Sequence, residues 1–227
     1  MKRAFIAAIA LLAPVTVFAG VFEVTLTLPV RPRLALSEGT HVAVAPFVIV
    51  VAAEDRTDRA SKVDVQSEFA RYLKKKLEKA TDLEIIDASS EKLPTSDTKE
   101  LAANRDFWKD VAAKSGADYV LSGSIDFDIE EKAGYKTEEY TSPVDGRTYY
   151  RQVLVESTGF VFDIVMVVFD GETGEKVTEE NFRDFKQFDG RNYDELTGLF
   201  ENLRSMEKQI LSIFISQETT STRYLFD

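Results

Sequence analysis

The side chains with the clearest capacity for chemistry are four acids near the end of an apolar segment. Asp126, Asp128 and Glu130 alternate with apolar residues, so on a strand they would share one face, and Glu131 follows directly. Carboxylates grouped in this way can hold a hard cation such as calcium. No glycine-containing loop with calcium-site spacing surrounds them, and a strand with one solvated face has the same alternation. We therefore predict a solvated strand face and no metal site.

Nucleophilic catalysis finds little support in the sequence. The chain has one histidine, His41, and no cysteine, which leaves few side chains for a zinc site or a nucleophile–base pair. His41 is interpreted as a structural or surface residue. Ser122, Gly123 and Ser124 lack the G-x-S-x-G pattern of a nucleophile elbow, and no phosphate-binding G-x-x-x-x-G-K-S/T loop is present. The sequence predicts no catalytic residue, no cofactor and no enzymatic activity.

The amino-terminal residues predict a secretory signal peptide over residues 1–19. Lys2 and Arg3 precede an apolar run that Pro14 ends, and this run is shorter than a membrane span requires. A retained membrane helix is the alternative. The lack of cysteine leaves no acceptor for a bacterial lipid anchor and no disulfide. We expect an exported protein of the bacterial periplasm without a lipid anchor.

The charge of the chain narrows the classes of partner. The formal net charge is −11 at pH 7, which repels phosphate backbones and anionic membrane surfaces. We therefore expect no nucleic-acid partner. With 44% hydrophobic residues and sixteen phenylalanines, the chain has the composition of a globular protein.

The hydrophobic periodicity predicts strands and helices in an order typical of an α/β (α+β) fold. Two helices separate the first three strands, which implies parallel neighbours joined by right-handed crossovers. We predict a single three-layer domain with a mixed sheet, a βαβαβ start, added antiparallel hairpins and a C-terminal helix. The predicted strands are 41–51, 82–87, 119–129, 159–170 and 176–185, and the predicted helices are 61–80, 101–115 and 193–215.

The domain boundaries follow from composition. Apolar residues alternate with polar ones from Phe22 to Leu26, which indicates a half-buried strand, and Pro29 and Pro32 then stiffen a connector. The last residues are polar until Tyr224. The predicted divisions are a signal peptide at 1–19, an N-terminal strand and linker arm at 20–35, an envelope α/β domain at 36–217 and a C-terminal tail at 218–227.

Several glycines occupy positions where a turn or a close approach is expected. Gly116 follows a helix, where a left-handed cap residue is favoured, and Gly123 lies inside a strand, which indicates a bulge or a neighbouring backbone. Asp170, Gly171 and Gly174 fall in the segment FDGETGEK and predict a tight turn between two strands.

The segments VAVAPF, DLEIID, GADYVLSGSI and FDGETGEK, in this order around two helices, resemble a bacterial envelope domain. The curli-secretion channel subunit, the outer-membrane activators of penicillin-binding proteins and the N-terminal domain of the Tol propeller protein share it. The resemblance covers about residues 42–177. It implies a non-enzymatic periplasmic domain that works through protein contacts. The first two relatives are lipoproteins, whereas this chain has no cysteine.

A polar, turn-rich region at residues 134–157 is the best candidate for a protein-contact surface. Residues 142–146 form a strong turn signal between two strand-like segments. Tyrosine serves well at interfaces, although ordinary cross-strand packing would use the same residues. The candidate contact residues are Tyr135, Tyr140, Tyr149, Tyr150 and Arg151.

Three functions remain open at this point. The first is a soluble periplasmic adaptor or assembly factor that binds another envelope protein, with edge-strand addition as one mode of contact. The second is a subunit of a secretion-related oligomeric ring or channel, which requires a homo-oligomer. The third is a small-ligand binding protein, for which a deep pocket would be needed.

Overall fold

The computed structural model describes residues 21–50, 64–190 and 193–226. The predicted signal peptide at residues 1–19 lies outside this part of the chain. The described strands are β1 Val21–Val30, β2 His41–Val50, β3 Glu84–Asp87, β4 Tyr119–Thr141, β5 Thr148–Asp170, β6 Lys176–Asp189 and β7 Gln217–Phe226. The described helices are α1 Val65–Ala80, α2 Thr98–Ala103, α3 Arg105–Ser115 and α4 Glu195–Leu211.

Five strands form a mixed sheet in the order β3-β2-β4-β5-β6. Strand β2, second from one edge, pairs in parallel with β3 and with β4. The β4–β5 and β5–β6 pairs are antiparallel. Helix α1 connects β2 to β3, and α2 and α3 connect β3 to β4, as parallel neighbours require. The predicted α/β class, with its βαβαβ start, antiparallel hairpins and C-terminal helix, is confirmed.

Helices cover both faces of this sheet, which lies in the unit Arg31–Gln217. On one face, α1 and α4 bury a cluster that includes Phe69, Leu73 and Leu203 against Phe162. On the other face, α2 and α3 bury a smaller cluster around Trp108. The ring of Trp108 stacks on Phe169 at 4.2 Å between centroids. The sheet and the helices packed on its two faces therefore form the three predicted layers.

The helix starts differ from the sequence-based prediction. Asp64 was expected inside the first turn of a helix beginning at Ser61, which is outside the described residues, but Asp64 is itself the N-cap of α1. Its carboxylate accepts a hydrogen bond from the Ser67 amide at 3.1 Å and from the Ser67 hydroxyl at 2.7 Å. The Ser67 hydroxyl is the main reason that the pKa of Asp64 is lowered.

The single predicted helix at residues 101–115 is in fact two helices. Asn104 has a non-helical backbone and ends α2, and its side chain accepts a hydrogen bond from the Phe107 amide at 3.2 Å to begin α3. Asparagine favours such caps because its side chain competes for backbone amides. Asp97 caps the start of α2 in the same way.

The unit formed by Met1–Val30 and Glu218–Asp227 contains a two-stranded sheet of β1 and β7. The predicted first strand is present, but its apolar side chains are not buried as expected, because Phe22, Leu26 and Leu28 are exposed. Where the sequence indicated only a polar tail, β7 forms. Its polar alternation offers no apolar face, so backbone pairing with β1 defines the strand.

The described part of the chain contains no helix that is long and apolar enough to cross a membrane.

Candidate protein-contact site

The most prominent feature for recognition is an extension of the β4–β5 hairpin, here called the hairpin arm, residues 133–156. Strands β4 and β5 pair along their whole length, from Tyr119 opposite Asp170 to Thr141 opposite Thr148. Pairing of β2 with β4 ends at Asp126, and pairing of β6 with β5 begins at Ser157. Beyond these points the sheet is reduced, in the described residues, to two strands.

The root of the hairpin arm is held by hydrogen bonds and aromatic packing. The Thr158 hydroxyl donates to the Gly190 carbonyl at 2.9 Å, and the Gly190 amide donates to the Glu156 carbonyl at 2.7 Å. Beside Thr158, Phe188 of β6 stacks on Tyr193 with ring centroids 4.0 Å apart. The arm therefore begins from a well-packed part of the domain.

A tight loop closes the far end of the hairpin arm. The Gly146 amide donates to the Ser142 carbonyl, and the Ser142 amide donates to the Arg147 carbonyl, both at 2.9 Å. Asp145 accepts from the Tyr149 hydroxyl at 2.6 Å and from the Arg147 amide at 3.1 Å. The Tyr149 hydroxyl is the main cause of the lowered pKa of Asp145. The predicted turn residues are thus the ones that fix the strand register.

The five candidate contact residues fall on opposite faces of the arm. Directly opposed residues in an antiparallel pair share a face, and faces alternate along each strand. Tyr140, Tyr149 and Arg151 lie on one face, whereas Tyr135 and Tyr150 lie on the other. The arrangement does not bring the five residues together as one surface.

On the first of these faces, the ion-pair face, several side chains contact one another. Arg151 lies 3.4 Å from the Glu138 carboxylate, and its guanidinium carbon lies 5.3 Å from the centroid of the Tyr140 ring. The Tyr140 and Tyr149 rings are 5.9 Å apart. The face is defined by Gly134, Lys136, Glu138, Tyr140, Tyr149, Arg151, Val153 and Val155.

The opposite face, the acidic face, presents large side chains to solvent. Tyr135 is 75% exposed, Tyr150 is 71% exposed and Leu154 is 55% exposed, whereas Tyr140 and Tyr149 are about 40% exposed. Leu154 lies directly opposite Tyr135 and was missed by the sequence-based prediction. The turn at residues 142–146 fixes the register and could have revealed it. The face is defined by Ala133, Tyr135, Thr137, Glu139, Thr141, Thr148, Tyr150, Gln152, Leu154 and Glu156.

The two glycines singled out from the sequence occupy special backbone positions. Gly116 ends α3 with φ of 70°, in the left-handed region that glycine enters without strain. Gly123 has φ of 150°, and a β-carbon placed there would lie 1.8 Å from the Val165 carbonyl oxygen. The register of β2 against β4 shifts between Val44 and Phe47, next to Gly123.

The turn between β5 and β6 is organised by Asp170. Its carboxylate accepts from the Thr173 amide at 2.8 Å, from the Thr173 hydroxyl at 2.9 Å and from the Glu172 amide at 3.1 Å. The Thr173 amide is the main cause of the lowered pKa of Asp170. The Gly174 amide donates to the Asp170 carbonyl, and the Gly171 amide donates to the Asp118 carbonyl, both at 2.8 Å. These residues shape the turn.

The acidic run on β4 has a perturbed member but no metal-like cluster. Asp126 lies opposite Asp163 on β5. Burial, followed by the charges of Asp163 and Asp128, raises the pKa of Asp126. Among the described residues, no group of three or more histidines or acids is arranged to hold a metal ion. At the other end of the sheet, the Nε2 atom of His41 lies 3.0 Å from the Glu84 carboxylate.

A surface pocket of about 500 Å³ lies between α2 and the sheet. Leu101, Trp108 and Phe169 contribute apolar walls, and Lys176 and Glu179 lie at the same pocket as an ion pair 2.6 Å apart. The indole nitrogen of Trp108 donates to the Leu101 carbonyl at 2.9 Å, so this polar group is already bonded within the protein. The pocket is where the small-ligand interpretation would place its ligand.

A family model described as the middle domain of flagellar assembly protein T matches residues 51–197. This stretch is more than half of the chain, and the chain belongs to that family. The family found differs from the three relatives that the sequence resembles, and kinship with those three stays a prediction. No curated protein matches the chain.

Two solved structures that match this chain have low sequence identity to it. PelC from Paraburkholderia phytofirmans, described as a dodecamer, is 17% identical, covers 85% of this chain and 99% of its own, and has a TM-score of 0.38. Lipoprotein GNA1162 from Neisseria meningitidis is 14% identical, covers 75% and 97%, and has a TM-score of 0.39.

Proposed function

We propose that this chain, as a member of the flagellar assembly protein T middle-domain family, is a non-enzymatic assembly protein of the bacterial cell envelope. It acts in the periplasm, where the predicted signal peptide at residues 1–19 would direct it, and it works by contacting another protein of the assembly. The family description supports the role in flagellar assembly. The sequence provides no catalytic or cofactor motif that would favour an enzyme.

The observation that carries this proposal is the hairpin arm. A two-stranded hairpin in water is only marginally stable by itself, yet nine residues of each strand continue beyond the larger sheet formed by the described residues. An exposed tyrosine leaves a large apolar ring in contact with water, whereas at an interface the ring is buried and its hydroxyl can be hydrogen-bonded. A partner that packs on the arm would bury these rings.

Shortening the arm tests the proposal. In the variant, an Asn-Gly turn joins Ala133 directly to Glu156, because this dipeptide favours a two-residue hairpin connection. The root contacts of Thr158 and Gly190 are retained. We expect cells producing this variant to lose flagellar assembly, scored by filament staining and swimming, while the purified protein keeps its thermal unfolding midpoint within about 3 °C, roughly 1 kcal/mol.

Normal filaments at wild-type protein levels would contradict the role of the arm. Light scattering on the purified wild-type chain addresses the second function. A closed symmetric oligomer would favour the ring or channel subunit over the adaptor, because a channel requires rotational symmetry.

A further inference from the structure

The two faces of the hairpin arm differ in charge as well as in exposure. The acidic face carries Glu139 and Glu156 and no basic residue, whereas both basic residues of the arm's strands, Lys136 and Arg151, lie on the ion-pair face. Glu131 lies two residue pairs below the arm, on the same side as the acidic face. The charge separation follows from strand register, since neighbouring residues point to opposite faces.

The two faces also differ in how far their tyrosine rings are exposed and in the contacts recorded within the ion-pair face. Arg151 contacts both Glu138 and the Tyr140 ring, and Tyr149 donates to Asp145. These contacts hold Arg151, Glu138 and Tyr149 within the arm. On the acidic face, Tyr135 and Tyr150 carry the most exposed tyrosine rings of the arm.

We propose that the acidic face of the hairpin arm is the docking surface, and that it binds a protein segment in which Lys or Arg alternates with apolar residues. This proposal rests on the proposed function and specifies its partner. Tyr135, Tyr150 and Leu154 receive the apolar side chains, and Glu139 faces the cations. An extended segment has the matching period of two residues.

The overall charge argues against the other large occupants. The chain carries a formal net charge of −11, so a second copy, a nucleic acid or an anionic membrane would meet electrostatic repulsion. A cationic segment is attracted by the same field, which speeds its association.

Site-specific photo-crosslinking in cells tests the choice of face. A benzoylphenylalanine at Thr137 lies in the middle of the acidic face, and the same group at Val153 is the matched control on the ion-pair face. We expect a crosslink from position 137 only, to a partner peptide that mass spectrometry shows to contain Lys or Arg between apolar residues. A crosslink from position 153 alone, an acidic partner peptide or a peptide of this chain itself would each overturn the inference.

Charge reversal at neighbouring glutamates supplies a second measurement on the purified full-length chain. The probe is a fluorescein-labelled peptide of alternating Lys and Leu, measured by anisotropy at low salt. We expect Glu139→Lys to weaken binding roughly fivefold, the scale of one exposed ion pair, and Glu138→Lys to leave it within about twofold. Equal effects of the two variants, or no binding by the wild-type chain, would overturn the inference.

The two proposals fail in different ways. If cells with the shortened arm lack filaments while cells with Glu139→Lys assemble them normally, the arm is the contact element and the acidic face is not. If the shortened arm also supports assembly, the proposed function fails first.

Discussion

Replacing Gly123 by alanine would disturb the strand pair from which the hairpin arm extends. The added methyl group would lie 1.8 Å from the Val165 carbonyl oxygen, 2.9 Å from the Val165 carbonyl carbon and 3.1 Å from the Phe47 ring. An ordinary carbon–oxygen contact is about 3.3 Å, so β4 and β5 would have to separate by about 1.5 Å at this point. The Val165 backbone cannot move aside as the end of a flexible side chain could.

The expected cost has two parts. A non-glycine residue at φ of 150° stores roughly 1–3 kcal/mol of strain, and overpacking a close contact adds about 1–3 kcal/mol. The free energy of unfolding should therefore fall by about 2–6 kcal/mol, a large part of the 5–15 kcal/mol typical of a domain. Gly116→Ala is the matched control, because φ is 70° there and nothing lies within 4 Å of the added carbon. It should cost only about 1–2 kcal/mol.

Urea unfolding followed by tryptophan fluorescence measures both variants. Trp108 is the only tryptophan and is 1% exposed, so its emission reports loss of the core between α3 and the sheet. The free energies come from linear extrapolation with a shared slope. A loss for Gly123→Ala no larger than that for Gly116→Ala would show that the β4–β5 contact is not as tight as the distances indicate.

Two titrating groups give pH-dependent predictions, both measured by thermal unfolding across a pH series. The pKa of Asp126 is raised, chiefly by burial and then by Asp163, so ionisation of Asp126 opposes folding. Asp126→Asn should therefore raise the thermal unfolding midpoint at pH 7. This gain should vanish below about pH 4, the pKa of aspartate in the unfolded chain. A constant gain at all pH values would rule out ionisation as the cause. Glu207 accepts from the Tyr72 hydroxyl at 2.9 Å and pairs with Lys76 at 2.6 Å, and Lys76 is the main reason its pKa is lowered. Glu207→Gln should lower the free energy of unfolding by about 1 kcal/mol at pH 7. This difference from the wild-type chain should disappear as the pH falls through the lowered pKa of Glu207. A difference that persists in acid would show that packing, and not charge, is the cause.

Much of the architecture was predictable because local periodicity and tertiary burial agree. Phe69, Leu73 and Leu77 recur at helical spacing along α1, and all three are fully buried. The break at Asn104 was missed because residues 101–115 have a helical pattern throughout, and one side-chain hydrogen bond decides where α3 begins. Hydrophobic spacing does not show which residue caps a helix, because the boundary depends on a single side-chain hydrogen bond.

By itself, the sequence determined the mixed α/β sheet, the position of the turn at residues 142–146 and the tyrosine content of the segment around it. These depend on residue type and spacing over a few positions, where propensity and turn chemistry act directly. Only the tertiary structure decided how far β4 and β5 continue past the described parts of β2 and β6, and therefore that the hairpin arm forms. The register of the pairing then divided Tyr135 and Tyr150 from Tyr140 and Tyr149, because a strand turns successive side chains to opposite faces.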